Sequence, residues 1–502
     1  MSLTSAREEN RLRAWIDELN EMKAGFASLD VTPRPGSENP GGFLKRFLFD
    51  VNDPLHVKAA VFDHEGYRVA IVCIDSLSIK ASTVRIGREL SMDLTGIPPA
   101  NIMVAASHTH SGGPVVSWGG DQQKLISSSS DPMFVQKLLE TCPSADPRYL
   151  HLVGERIGSA VALADKRKAE VRCTVGVGNE ASVTFNRRFR MKGGWQITHP
   201  GKGNPETIGP AGPVDPDVGV LSVWDTNGGF MGCVVNFACH GTTWYPGGFS
   251  GDWPFYLDKT IRGVMGENST VIFLNGACGD VTQVDNQSMR ESEVGGKWAQ
   301  RIGQRIGAEA LRVIVDFDPG DLQPIRAVQK ILEIQNRRVS PERLRRALTL
   351  LKTKTPEENP NWVFARDIFL LNERSKFEQY TKCEIQAIQI GPLVLVSNPG
   401  ELFCQLGLDI KSASPFPYTF VVELANGCIG YVPTEDAMSA SGGGYETRMG
   451  MHSFLVPSAG RIITRECVGL IRTLSPGSIP RQLQAGKPGT PWDYGSVGPE
   501  EI

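Results

Sequence analysis

Asn101-Ile102-Met103-Val104-Ala105-Ala106-Ser107-His108-Thr109-His110-Ser111-Gly112-Gly113 is an apolar run that stops in small residues, two histidines and glycines. Such a run, bounded by turn residues, reads as a buried strand that delivers its polar end to a loop. His108 and His110 are two apart, so on extended chain they share a face. Two imidazoles on one face can hold a metal, or one can ligate while the other moves protons. A surface or hydrogen-bonded histidine pair is the ordinary alternative, and the remainder of the chain decides between them.

The same pattern recurs. Gly232-Cys233-Val234-Val235-Asn236-Phe237-Ala238-Cys239 stops at His240-Gly241. Thr270–Leu274 stops at the turn that carries Asp280 and Thr282, Leu393–Ser397 at Asn398-Pro399-Gly400-Glu401, and Thr419–Leu424 leads to Asn426-Gly427 and Tyr431. In layered α/β proteins, ligands collect outside the carboxyl ends of strands. Taken singly, His240 reads as a satisfied core histidine, Glu401 as a helix cap and Tyr431 as a packing residue. Jointly they read as a site, because three of the chain's eight histidines fall in the pattern. Two or three histidines with one glutamate suit zinc and leave room for a water.

Around these runs the spacing predicts an amphipathic helix over 5–22 and strands at 24–33, 56–63 and 68–74. Helices follow near 82–94 and 147–168, with strands at 171–177, 181–186 and 218–224. A helix opens after Ser250-Gly251-Asp252-Trp253-Pro254, and further helices lie at 291–314 and 459–473. Residues 115–147, with Ser127–Ser130, read as a long polar loop. Residues 199–216 read as a Gly/Pro-rich loop, and 339–381 as a charged helical insertion beginning at Ser340-Pro341. No internal repeat is present. The expected architecture is α/β, a layered α/β/β/α body of mixed sheets flanked by helices. The body spans 1–474 and an extended tail 475–502.

A net charge of -3 over 502 residues argues against nucleic acid and anionic membrane surfaces as partners. No apolar run approaches the roughly 20 residues that span a bilayer, so stable membrane insertion is not expected. Ten cysteines, none in CxxC, sit mostly in apolar runs and lean toward a reducing compartment. The N-terminus shows no secretory signal. Localisation therefore stays open between the cytoplasm and, had a leader been removed, a secreted or periplasmic site. An oligomer is compatible with the sequence.

The residues at the strand ends also carry a resemblance. Ser107-His108-Thr109-His110-Ser111-Gly112 resembles the HTHSG motif of the neutral/alkaline, non-lysosomal ceramidases. Asn186-Arg187 resembles their NRSP segment, with Arg188-Phe189 for Ser-Pro. Asn236–His240 resembles FAxHPT, with Gly241 for Pro. Ser250-Gly251-Asp252 matches SGD, Gly279–Thr282 resembles GDVSPN, and Pro399-Gly400-Glu401 matches PGE. Tyr431-Val432-Pro433-Thr434 resembles YVTT, and Tyr445-Glu446 resembles YEG. The motifs are collinear from Asp30-Val31-Thr32-Pro33 to about residue 474. The chain is thereby similar to the N-terminal catalytic domain, as a divergent bacterial-type member without the C-terminal immunoglobulin-like domain.

That resemblance implies a zinc held by His108, His240, Glu401 and Tyr431, with His110, Arg187 and Tyr445 facing the substrate amide. It places Thr282 where a serine has been proposed as nucleophile. Threonine retains the hydroxyl, but its methyl restricts χ1, and Gln283-Val284 replaces Pro-Asn. The implied function is a zinc-dependent amidohydrolase of sphingolipid or lipid metabolism, cleaving an N-acyl bond through metal-activated water. Its implied partner is a small-molecule N-acyl or lipid-like substrate; the missing C-terminal domain, the polar 115–147 segment and the lack of an amphipathic or apolar docking segment predict one more soluble than membrane-embedded ceramide. A metal-dependent ester or phosphoester hydrolase, and a metal-containing binding protein without activity, are the alternatives that residue chemistry leaves open.

Overall fold

The computed structural model describes residues 22–117, 121–244, 247–291, 293–316 and 319–479. The expected helix over 5–22 lies outside them except for Met22.

Eight strands form the larger sheet: β1 (Lys23–Asp30), β2 (His56–His64), β3 (Tyr67–Ile74), β4 (Ile102–Ala106), β5 (Ala169–Asn179), β6 (Asp217–Asp225), β7 (Phe230–Phe237) and β8 (Thr270–Asn275). Their order across the sheet is β8-β7-β6-β5-β1-β2-β3-β4. Four more strands form the smaller sheet in sequence order: β9 (Ile325–Gln335), β10 (Tyr380–Ile390), β11 (Leu393–Ser397) and β12 (Tyr418–Val422). Most neighbours are antiparallel. The exceptions are β3/β4, β7/β8 and β11/β12, each a parallel pair.

A parallel pair needs a crossover, and each has a helix: α1 (Ala81–Thr95) after β3, α5 (Trp253–Met265) after β7, and α9 (Cys404–Ala413) after β11. The remaining helices are α2 (Gln122–Ser128), α3 (Pro132–Leu139), α4 (Pro147–Lys166), α6 (Gly296–Asp316), α7 (Pro341–Thr353), α8 (Trp362–Arg374) and α10 (Ala459–Ile471). Their starts follow capping chemistry. Asp146 accepts from the Arg148 amide ahead of Pro147, and Ser340 accepts from Arg343 ahead of Pro341.

The layers follow from which faces are apolar. Phe26, Phe62 and Ile71 of the large sheet share one buried cluster with Ile388, Leu395 and Phe420 of the small sheet, so the sheets pack face to face. The outer face of the large sheet buries Val57, Val72 and Val104 against α4, and Val220 and Val235 against α5 and α6. The outer face of the small sheet lies under α8, α9 and α10. This is the expected α/β/β/α body.

Residues 199–216 are not all loop, since Thr207–Pro210 is a strand paired with Arg188–Met191, and of the strand expected at 181–186 only Phe185–Asn186 forms. Two larger differences need correction. Residues 115–147 are not one polar loop: they form α2 and α3, capped by Asp121 and Asp131. The serines masked a short amphipathic pattern, and Leu125, Val135 and Leu138 are buried in the core. The second is β9, absent from the sequence reading. It is an edge strand whose apolar residues are interleaved with exposed Arg326, Lys330 and Glu333, so neither strict alternation nor a continuous apolar run marks it. The helices expected at 339–381 are α7 and α8, and they connect the antiparallel partners β9 and β10. Of the tail, residues 475–479 are described. The Gly477 amide donates to the Gly391 carbonyl and Gln389 Nε2 to that of Ser475, so the tail begins on the β10–β11 turn.

The chain after β12 joins both edges of the large sheet. Glu423 N–H donates to Asn275 O at the β8 edge. At the β4 edge, Asn426 N–H donates to Val104 O, and the Val104 amide donates to Asn426 Oδ1 at 2.9 Å. Leu424 and Asn426 adopt positive φ (49° and 62°) to make this crossing. Consequently the carboxyl ends of all three parallel pairs open into one space.

A candidate metal and hydrolase centre

His108 follows β4 with φ +65°, a left-handed conformation that a non-glycine residue adopts at some cost. That turn aims its ring inward, where it is buried. His240 follows β7 and is fully buried. The two segments run side by side through a parallel bridge between Thr109 and Gly241, and the His110 amide donates to Gly241 O at 2.8 Å. A Cβ at Gly241 would lie 2.8 Å from the His108 carbonyl oxygen, so the close approach of the two histidine segments needs glycine there. Thr109 Oγ1 donates to Ser250 O, and Trp253 Nε1 donates to His240 O, so Ser250-Gly251-Asp252 serves as a brace.

Each histidine is oriented from behind by a carbonyl. Nδ1 of His108 meets Leu77 O at 2.8 Å, Nδ1 of His110 meets Gly41 O at 2.8 Å, and Nδ1 of His240 meets Val281 O at 3.0 Å. A carbonyl only accepts, so Nδ1 carries the proton and Nε2 keeps its lone pair. Burial is the main reason all three rings stay neutral. It lowers the pKa of His108, drives that of His240 far down with help from Arg187, and, with His108 beside it, takes His110 to about 3.

Glu401 opens a short strand, Glu401–Leu402, that pairs in parallel with Tyr431–Val432, so Glu401 sits opposite Tyr431. Its Oε2 lies 3.5 Å from His108 Nε2 and 3.6 Å from His240 Nε2. These three atoms are buried and none has a hydrogen-bond partner. A ring nitrogen each of His108, His110 and His240 also lies within 4.8 Å of the others. Such a cluster of unsatisfied lone pairs is costly unless something electropositive sits among them. Two imidazole Nε2 atoms, each backed through Nδ1 by a carbonyl, with one carboxylate oxygen, make a donor set that fits zinc. Gly279 allows Glu401 its place: a Cβ there would stand 2.4 Å from the Glu401 carbonyl oxygen.

Tyr431, Tyr445 and Arg187 form a hydrogen-bonded chain beside this cluster. Arg187 Nη2 donates to Tyr431 Oη at 3.1 Å, and the two tyrosine hydroxyls are 3.1 Å apart. Arg187 Nη2 also donates to Gly279 O, and Nε to Glu446 Oε1 at 2.8 Å. The tyrosine hydroxyls are held well above their ordinary pKa, chiefly by burial.

Thr282 is buried in a two-residue strand against Phe185, next to the Val281 carbonyl that orients His240. Its hydroxyl donates to Gln283 Oε1 at 2.8 Å. Asp280, two residues from Thr282 and so the nearest candidate base in the chain, is committed elsewhere: Oδ1 accepts from the Cys404 amide and Oδ2 from Asn186 Nδ2, both at 2.8 Å.

No family model matches the sequence, and no curated protein matches it. Solved structures do. "Ceramidase complexed with C2" aligns with a TM-score of 0.66 at 17% identity, covering 93% of this chain and 77% of its own. The neutral ceramidase from Pseudomonas aeruginosa aligns with the same TM-score and identity, over 93% of this chain and 78% of its own. The chain shares the ceramidase fold. At this identity the likeness establishes the fold, and the chemistry rests on the residues described above.

Two residues of this centre, Glu423 and Glu446, have no role in the sequence analysis. Glu423 is fully buried, and its oxygens accept from Cys278 Sγ, the Cys278 amide and the Leu402 amide. It thereby ties the turn after β8 to the Glu401 strand, and burial holds its carboxyl far above the usual range. An acid inside the apolar Val421–Leu424 run was the available signal. Glu446, named only as part of a motif, is the carboxylate that neutralises Arg187.

Proposed function

We propose that this protein is a zinc-dependent hydrolase of amide (N-acyl) bonds. The observation that carries the reading is the convergence of His108 Nε2, His240 Nε2 and Glu401 Oε2, buried and otherwise unpartnered, on one point. Tyr431 completes the proposed ligand set. When bound there, zinc supplies Lewis acidity, polarising an acyl carbonyl and acidifying a water.

The chain's own residues account for the rest. His110 has its Nδ1 proton on Gly41 O, which leaves Nε2 with its lone pair: it takes a proton from the attacking water and returns it to the departing amine. The Tyr445 hydroxyl, in the chain that runs through Tyr431 to the Arg187 guanidinium, is the donor for negative charge developing on the carbonyl oxygen. Water is the nucleophile. Thr282 has no base at its hydroxyl and gives its proton to Gln283, which also accepts from Thr242. It keeps the turn next to Val281 in place.

Thr282→Ser will therefore retain most activity, while Thr282→Val will lose roughly 10–100-fold, the worth of one positioning hydrogen bond of about 1.5–3 kcal/mol. An acyl adduct on Thr282 in a quenched reaction, seen by mass spectrometry, would contradict the assignment.

A panel of fluorogenic N-acyl amides, esters and phosphoesters, assayed with and without a chelator, tests the class. We expect chelator-sensitive turnover of the amides. Turnover confined to esters or phosphoesters would replace the reading, and no turnover by metal-loaded protein would leave a binding role.

A further inference from the structure

A cavity of about 830 Å³ opens beside Glu401 and runs outward past Gly430 to exposed Tyr380. Its walls include Leu77, Val116, Ile429, Met451 and Phe454. An apolar cavity of this size next to a hydrolytic centre accommodates an extended hydrocarbon chain.

One polar feature of the wall is out of keeping with that. Most of the charged groups there have partners: Arg374 pairs with Glu378 at 2.6 Å, and Glu384 pairs with Arg88 at 2.9 Å. Lys80 does not. It is half-buried at the start of α1, and its Nζ donates to a neutral group, Ser117 Oγ, at 3.0 Å. Among the described residues no carboxylate forms an ion pair with it, and the Asp121 charge acts on it only from a distance. Asp121 lines the same cavity, but its Oδ1 caps α2 through the Lys124 amide. Burial lowers the Lys80 pKa, which measures what it costs to keep that ammonium charged. An ammonium held partly out of water with one hydroxyl for company gains most from an anion delivered by a ligand.

We propose that the cavity binds amphiphiles with a terminal carboxylate, which Lys80 recognises, so that the amides hydrolysed here carry a carboxylate remote from the scissile bond. The catalytic half of this statement rests on the amide-hydrolase reading; the binding half does not.

Cys428 supplies a probe. It lines the same cavity and is an exposed residue, although burial of the thiol against the cavity wall raises its pKa, and the other nine cysteines are buried. Labelling by methyl methanethiosulfonate, a small neutral reagent, will therefore report on Cys428, and Cys428→Ser will abolish it. Decanoate will protect the thiol at concentrations about 10–100-fold below those of decanol, as one charge-assisted hydrogen bond provides. Lys80→Met will remove that advantage, and Lys80→Arg will keep much of it. Equal protection by decanoate and decanol in the unmodified protein, or an advantage that survives Lys80→Met, would overturn the proposal. In turnover, the ratio of kcat/KM for a carboxylate-terminated N-acyl amide to that of its methyl ester will fall about 10–100-fold in Lys80→Met. Because protection needs neither metal nor catalysis, decanoate protection in a protein that cleaves no amide would reject the hydrolase reading and leave the binding half of this one standing.

Discussion

Glu401→Ala will strip the protein of its metal and of amide hydrolysis, whereas His110→Ala will keep the metal and lose turnover alone. The geometry offers two donor trios that share His108 and His240. One is completed by Glu401 Oε2, 3.5 and 3.6 Å from the two Nε2 atoms. The other is completed by His110, whose ligand atom lies within 4.8 Å of the other two. A carboxylate supplies the negative charge that two neutral imidazoles lack, so the first trio is the better home for a dication. Loss of a direct ligand should cost more than the roughly 10–100-fold in affinity that a supporting contact costs. Elemental analysis of the purified variants, beside activity, separates the trios. Metal retained in Glu401→Ala and lost in His110→Ala would assign His110 as a ligand and remove it from proton transfer.

Arg187→Met will destabilise the fold by about 3–5 kcal/mol, as breaking a buried ion pair from one side does. Arg187 is 3% exposed and its partner Glu446 is fully buried, with Nε and Oε1 at 2.8 Å. Removing the guanidinium leaves the Glu446 carboxylate without its main counter-charge and takes from Gly279 O and Tyr431 Oη the hydrogen bond that Arg187 donates. Denaturant unfolding will show the loss, and Glu446→Gln in the same chain will recover part of it, because the orphaned charge is then gone. Activity will not return in the double variant, since the tyrosine hydroxyls stay undirected. A cost below about 1 kcal/mol would mean that the pair behaves as a surface ion pair.

The strand ends were legible because the signal is local. An apolar run that stops at a histidine or a Gly-flanked acid declares both the strand and the cargo at its end, and β4, β7, β8 and β11 all read this way. What the sequence could not show was that β4, at one edge of an eight-stranded sheet, and β7, next to the opposite edge, would bring His108 and His240 together. That follows from the Leu424–Asn426 crossing, whose two left-handed residues are not glycines and so carry no local mark. Nor could Asp280 be ruled out as a partner for Thr282, since two residues of separation fix neither direction nor competitor; the Cys404 amide, 124 residues away, takes one of its oxygens. The long serine-bearing segment was misread because polar residues on the outer faces of α2 and α3 outnumber the few that anchor them. Strand β9 was missed because an edge strand needs only part of one face buried. Lys80 is one lysine among many in the sequence, and it stands out only in the fold, where it is half-buried with no ion-pair partner among the described residues.

The most direct test of the central claim is zinc K-edge X-ray absorption on protein loaded with one equivalent of zinc, compared with His240→Ala and Glu401→Ala. The account predicts a first shell of nitrogen and oxygen at about 2.0–2.2 Å, with the multiple scattering of two imidazoles and none from sulfur. It also predicts that this shell is absent from both variants. A zinc shell containing sulfur, or one unchanged by both substitutions, would contradict it.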